Sequence, residues 1–215
     1  MGDAGVEVEE DLIEKYNLKD IDVLKVGHHG SKTSSSKIFI DEINPKYSII
    51  SVGKNNRYGH PNDNVLDNKK IPYYSCIKEL NIDDNKLYFL NNKDYGNEND
   101  NSSVIYTELN NHKFLFMGDA GVEVEEDLIE KYNLKDIDVL KVGHHGSRTS
   151  SSKEFISEIN PKYSIISVGK NNRYGHPNDS VLNNLDDSKI YRIDQDGSIM
   201  FKIKNNKLKI ETCPP

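Results

Sequence analysis

Cysteine is scarce in this 215-residue chain, with Cys76 and Cys213 its only two. That count supports neither a disulfide framework nor a site built from thiolates, so a reducing compartment is the default. No apolar run approaches the eighteen or so residues that a membrane span needs. The amino terminus opens acidic and glycine-containing, where a signal peptide would be basic and then apolar. A glycine-rich phosphate loop ending in Lys-Ser/Thr is missing, and no Ser/His/Asp spacing or Cys/His pair points to covalent catalysis. Positive charge is in deficit: 28 Lys plus Arg stand against 35 Asp plus Glu, a formal net charge of -7. Such a field repels a nucleic-acid backbone unless a local basic patch or a bound cation overrides it. These absences argue against a passive nucleic-acid binder and leave room for an enzyme that meets phosphate through divalent ions. A soluble chain, cytoplasmic by default, is the expectation.

The chain repeats itself. Residues 1–66 match residues 117–182 at a constant offset of 116, differing only at Lys32/Arg148, Ile38/Glu154, Asp41/Ser157 and Asn64/Ser180. Copies of an ordinary structural repeat adapt to different neighbours and diverge further, so this is a recent duplication. The expected organisation is a partial copy over 1–66, a polar junction over 67–76, and a longer portion over 77–215. Met1 corresponds to Met117, which follows the apolar segment 113–116. The first copy is thus expected to start partway through its own pattern, either by truncation or because the true start lies upstream.

In the longer portion, residues 77–82 read as a helix remnant or a short edge segment, and Leu87 to Leu90 as a strand. The Asn-, Asp- and Gly-rich stretch 91–101 reads as a loop. Strands over 103–109 and 113–117 form a hairpin across Asn110-Asn111. Residues 122–132 are patterned as a helix with acids in its first turns, where the helix dipole favours them. A short strand over 138–142 follows. Ser152 caps a helix over 153–159, which Asn160-Pro161 stops. A strand over 163–168, a short helix over 179–185, and strands over 189–193, 198–203 and 207–210 complete the series, with turns at Asp196-Gly197 and Asn205-Asn206. Strand and helix in alternation, then hairpins, predict a layered α/β arrangement whose post-strand loops carry the site.

Six of the seven histidines fall in the repeated motifs: His28, His29 and His60, and again His144, His145 and His176. In the second copy Asp119, the Gly-His-His-Gly-Ser run ending at Ser147, and His176 ahead of Pro177 each follow a strand pattern. A carboxylate and up to three imidazoles thereby converge on one rim, a donor set that suits zinc, manganese or iron. Plainer readings stand beside this one. Asp119 also reads as a helix cap, His145 as a ring held by neighbouring backbone, and His176 as a turn residue or substrate contact. Glu123, Glu125 and Glu126 read most simply as a solvated first turn, with the alternative that one of them points into the site. Ser147, Thr149, Ser150 and Ser151 form either a phosphate-facing hydroxyl segment or a loop and cap. Lys170 and Arg173 are candidates for a local positive patch, and His112 is expected at the surface.

The runs Phe114-Leu-Phe-Met-Gly-Asp-Ala120, Val139-Leu-Lys-Val-Gly-His-His-Gly-Ser147, Tyr163-Ser-Ile-Ile-Ser-Val-Gly169 and Asn172-Arg-Tyr-Gly-His-Pro177 resemble the metallo-beta-lactamase fold, and within it the ComEC-like group of competence proteins. The resemblance covers residues 77–210 and again the first 66. It implies a four-layered αββα fold, here a partial sandwich lacking its amino-terminal half. It also implies one or two divalent metals, Zn or Mn, that activate a hydrolytic water, and nuclease action on DNA or another phosphodiester. On the matching positions, Asp119 resembles the metal-binding carboxylate and His144 a metal histidine. His145 and His176 resemble outer or substrate-facing groups, with Ser147 and Arg173 nearby. Asp3, His28, His29 and His60 repeat the set. The family's His-x-His-x-Asp-His signature occurs nowhere in these 215 residues, so the metals are expected to be held weakly or not at all by this chain alone. Membrane association is implied if the chain is part of a longer competence protein. Self-association of two copies is a further expectation, as is the alternative of a non-catalytic, binding-only product of duplication.

Overall fold

A computed structural model describes residues 2–52, 58–67, 77–91 and 93–214. Most of the polar junction at 67–76, with Cys76, lies outside the described residues. The chain divides into two compact units, Met1–Ile77 and Lys78–Pro215.

The first unit runs α1 (Val6–Lys15), β1 (Val23–Lys25), a 3-10 turn (His28–Gly30), α2 (Lys37–Ile43), β2 (Tyr47–Ile49) and α3 (Asp63–Asp67). Its two strands pair in parallel, with Leu24 opposite Ser48. Leu24, Val26, Phe39, Ile40, Ile43 and Val65 form a small core.

The second unit opens with β3 (Glu79–Ile82), β4 (Asn85–Phe89), β5 (Ile105–Leu109) and β6 (His112–Phe116), an antiparallel meander. The segment read as a helix remnant or edge piece is therefore the edge strand β3. Asn110 and Asn111 both adopt positive φ, 48° and 62°, as a tight turn that follows the right-handed strand twist requires. From β6 the sheet continues in parallel through β7 (Val139–Lys141), β8 (Tyr163–Ile166) and β9 (Lys189–Arg192), giving seven strands in the order β3-β4-β5-β6-β7-β8-β9. The crossovers are α4 (Val122–Lys131), α5 (Lys153–Ile159) and α6 (Asp179–Asn184).

Alternation along the strands assigns two faces. Leu115, Leu140 and Ile166 turn to a core shared with Val124, Leu128, Phe155, Ile156 and Val181 of the three helices. Phe114, Val139 and Ile165 turn the other way and pack with Ile199, Phe201, Ile203 and Leu208. Those last residues belong to the antiparallel pair β10 (Ser198–Lys204) and β11 (Lys207–Cys213). The expected turn at Asp196-Gly197 does not join two paired strands. A short helix, α7 (Ile193–Asp196), intervenes, with Arg192 bound through Nε and Nη2 to Asp194. β10 therefore leaves the large sheet and, among the described residues, pairs only with β11.

Ser152 caps α5 as expected, its hydroxyl accepting from the Phe155 amide, and Asn160 ends that helix in the left-handed region. His112 is only partly exposed, at 18% of its side chain, and lies 3.5 Å from Asp138 through Nδ1 and within hydrogen-bond reach of the Asn206 carbonyl through Nε2.

Candidate functional site

The carboxyl ends of β6, β7 and β8 lie side by side because these strands are parallel neighbours. Each leads into a loop that carries one part of the site. After β6 the chain turns at Gly118, whose φ is +60°. A side chain there would meet the Ser102 Cβ at 2.8 Å, so the close approach of strand and loop requires glycine. Asp119 follows, its amide donating to the Ser102 hydroxyl.

After β7 comes a one-turn segment, Gly143–Gly146, in which both histidines hold the left-handed backbone, with φ of 43° at His144 and 56° at His145. Two consecutive non-glycine residues in that region are uncommon and persist where the surroundings over-determine them. Three bonds do so here. The His144 amide donates to the Gly118 carbonyl, the Ser147 amide to the His144 carbonyl, and the Ser150 hydroxyl to the Gly143 carbonyl. The same backbone recurs at His28 and His29 in the first unit, with φ of 45° and 53°.

The two rings then diverge in role. His145 Nδ1 lies 2.6 Å from the Ser167 carbonyl oxygen, which can only accept, so Nδ1 carries the proton. Its Nε2 lies 3.5 Å from Asp119 Oδ1, and the two side chains are only 19% and 13% exposed. A backbone carbonyl that fixes one nitrogen and aims the other at a carboxylate is the arrangement seen around metal-binding imidazoles. His144 instead contacts the Thr149 hydroxyl through Nδ1 at 3.2 Å and the Asn99 amide through Nε2 at 3.4 Å. The structure thus places His145 Nε2 3.5 Å from Asp119, while His144 lies close enough to feel the charge of the same carboxylate.

Burial holds the His144 imidazole below its ordinary range, against the opposing pull of Asp119. His176 is likewise depressed, first by burial and then by the neighbouring His144 and His145. Its ring lies 6.1 Å from that of His144, and Tyr174 stacks on it at 5.8 Å. Ser147 is 6% exposed, its hydroxyl bonded within the loop to Thr149, so it stands behind His144 and does not face outward. Arg173 is exposed and donates to the Tyr174 hydroxyl at 2.8 Å.

Glu125 is fully buried and not part of a solvated turn. Its carboxylate accepts from the Ser151 and Ser152 amides, the latter at 2.8 Å, and so ties α4 to the loop behind His144. Nor does Asp119 cap α4: the Gly121 amide at the start of that helix donates to Asp100. Asp100 and Asn99 belong to the loop read only as polar. That loop is internally bonded, Asn97 with Asp100 and Asp94 with Asn101, and is pinned to α4 by the Tyr95 hydroxyl donating to Asp127 at 2.7 Å. The density of Asn and Asp in residues 94–101 was the available signal, because such residues order loops through side-chain-to-backbone bonds.

In the first unit, His29 Nδ1 lies 2.9 Å from the Ser51 carbonyl and His28 Nδ1 3.1 Å from the Thr33 hydroxyl, matching their counterparts. His60 lies 6.3 Å from His28, and Tyr58 stacks on His60. Asp3 is exposed, unlike Asp119.

Zinc takes four donors in a closed site, or three with an open position for water. Among the described residues no group of three or more His, Cys, Asp or Glu side chains is placed to hold a metal ion. The Asp119–His145 pair is a two-donor fragment, and the described residues do not complete a metal centre.

Residues 68–170 match the model of the metallo-beta-lactamase superfamily. ComE operon protein 3 of Bacillus subtilis (strain 168) is 39% identical over 124 residues, which are 57% of this chain and 16% of that protein. Competence protein ComA of Neisseria gonorrhoeae is 35% identical over 118 residues, 53% of this chain and 17% of that protein. The chain spans about a sixth of the length of these curated relatives. A solved metallo-beta-lactamase superfamily structure from Thermotoga maritima aligns with a TM-score of 0.43 at 18% identity, covering 69% of this chain and 81% of that one. No helix among the described residues is long and apolar enough to cross a membrane. A mixed α/β sheet with its motif residues at the strand ends, the family match and the competence-protein relatives lead to one conclusion: over residues 68–170 this chain carries a match to the metallo-beta-lactamase domain.

Proposed function

We propose that the second unit is the carboxy-terminal part of a metal-dependent hydrolase domain that acts on phosphodiesters, with DNA as the substrate of the intact protein. The observation that carries this reading is the Asp119–His145 pair, a carboxylate facing an imidazole whose other nitrogen is held by a backbone carbonyl. Asp119 and His145 are the donors this unit offers to zinc or manganese. His144 and His176, whose imidazole pKa values burial lowers, line the adjoining rim, where they accept or donate a proton at the edge of a bound phosphodiester. The competence-protein relatives support DNA as the substrate, and the acidic net charge requires cations to bring a phosphate backbone near.

Calorimetric titration of the purified chain with zinc and with manganese tests the pair. Weak uptake is expected, reduced by Asp119→Asn and by His145→Gln more than by His144→Gln. Since the first unit carries the matching Asp3 and His29, the same titration is run in an Asp3→Asn/His29→Gln background. Uptake indifferent to all these changes would sink the assignment.

A second reading, a duplicated product that binds and does not catalyse, is favoured by the two-donor count among the described residues. The two readings part in a nuclease assay with manganese or zinc. Cleavage that the Asp119 variant abolishes rules out the second reading, and binding without cleavage rules out catalysis by this chain.

A further inference from the structure

Tyr174 is the most exposed large aromatic side chain near the site, at 65%. An exposed aromatic ring in a mobile turn would mean little, but this one is held. Asn172 accepts from the His176 amide at 2.9 Å through Oδ1 and donates to the His176 carbonyl at 2.7 Å through Nδ2, which closes residues 172–176 into a fixed turn. The turn is then locked onto the histidine loop, because the Asn178 amide donates to the Gly146 carbonyl at 2.8 Å. The ring therefore has a set position relative to His144 and His145.

From that position the rings form a file. Tyr174 stacks on His176 with planes 19° apart, His176 meets His144 at 6.1 Å, and His144 meets His145 at 6.3 Å beside Asp119. At the outer end the Arg173 guanidinium lies 5.0 Å from the Tyr174 ring centre and donates to its hydroxyl. The guanidinium thus lies over the Tyr174 ring, which is still 65% exposed, and an exposed aromatic ring beside a cation is what single-stranded nucleic-acid sites present, the ring to a base and the cation to the backbone. The first unit, built from the same residues, arranges Tyr58 over His60 in the same way, at 6.0 Å and 21°, with Tyr58 59% exposed. The stack recurs in both units.

The geometry points to Tyr174 as a stacking platform for an unpaired nucleobase of the strand whose phosphate is held at the Asp119–His145 end of the file, with Tyr58 as its counterpart in the first unit. This inference rests on the nucleic-acid reading above and adds to it how the strand is gripped: by the face of a base, with little preference among bases, and with Arg173 facing the adjoining backbone.

The test is fluorescence anisotropy at low salt with magnesium, using the full chain and two labelled strands of equal length and charge. One strand carries bases and the other is wholly abasic. The base-bearing strand is expected to bind more tightly. A Tyr58→Ala/Tyr174→Ala variant should lose roughly 5- to 100-fold on that strand, from stacking of about one base per platform, and nothing on the abasic one. Tyr58→Phe/Tyr174→Phe, which keeps the ring and removes the hydroxyl, should restore wild-type binding. Both substitutions fall on exposed side chains, and circular dichroism confirms that each variant is folded. Equal affinity of the wild type for the two strands, or an Ala variant that keeps the preference for bases, overturns the platform and leaves the phosphodiester reading standing. Failure of both strands to bind overturns the nucleic-acid reading and the platform with it.

Discussion

Replacing Glu125 by alanine should destabilise the second unit and free the loop behind His144, because this carboxylate is the acceptor for two backbone amides from a fully buried position. Removing it leaves the Ser151 and Ser152 N–H groups facing a void. Each buried unsatisfied donor costs about 1–3 kcal/mol, so the loss is roughly 2–6 kcal/mol, with the lower end reached if water fills the space. Burial also raises the Glu125 pKa above the ordinary carboxylate value, against the pull of the two amides, as expected for a group held by packing as much as by charge. The assay is urea unfolding combined with amide hydrogen exchange, read on peptides covering 147–160. Glu125→Ala should lower the unfolding midpoint and speed exchange at those two amides. Glu9 makes the same contacts to Ser35 and Ser36, so Glu9→Ala should act only on peptides of the first unit. A midpoint shift worth less than about 1 kcal/mol, with protection at 151 and 152 intact, would refute the reasoning.

Two other outcomes follow from the same loops. His144 and His176 have folded pKa values below the ordinary 6.5, so their contribution is present above pH 6.5 and is lost as pH falls through the depressed values. Urea midpoints of the second unit should therefore drop on acidification from pH 7.5 to 5.5, and the drop should shrink in a His144→Gln/His176→Gln variant; an equal drop in both proteins counts against the assignment. Gly146→Ala places a methyl group 2.7 Å from the Pro177 Cβ at a φ of +78°, and a thermal melt should show a loss of roughly 2–4 kcal/mol; a variant as stable as the wild type would contradict the packing described.

Periodicity made much of the fold legible. The helices over 122–132 and 153–159 and the Asn110-Asn111 hairpin carry local signals: acids in a first turn, a serine cap, and residues that tolerate positive φ. The path of β10 was not legible in this way, since whether Ser198 onward continues the sheet or folds over its face depends on the short helix at Ile193–Asp196 and on distant partners such as Phe114. The approach of Asp119 to His145 follows from their positions after neighbouring strands. Which of the two adjacent histidines takes that place could not be read from the sequence, because that is decided by left-handed backbone at both residues and by the Ser167 carbonyl, 22 residues away. Asn99 and Glu125 escaped for a related reason. Their partners, at His144 and at Ser151 and Ser152, are separated from them by several strands and a helix or by a strand and a turn, and composition carries no record of such pairings.

The tripeptide Val-Leu-Lys occurs twice in equivalent settings of sequence but not of sheet. As β7 it has a strand on either side, and as β1 its only strand partner among the described residues is β2. Because the covalent surroundings are the same, intrinsic exchange chemistry cancels between the two. Any gap in deuterium uptake between residues 23–25 and 139–141 then reports directly on what a second flanking neighbour adds, an internal calibration that few proteins carry within one polypeptide.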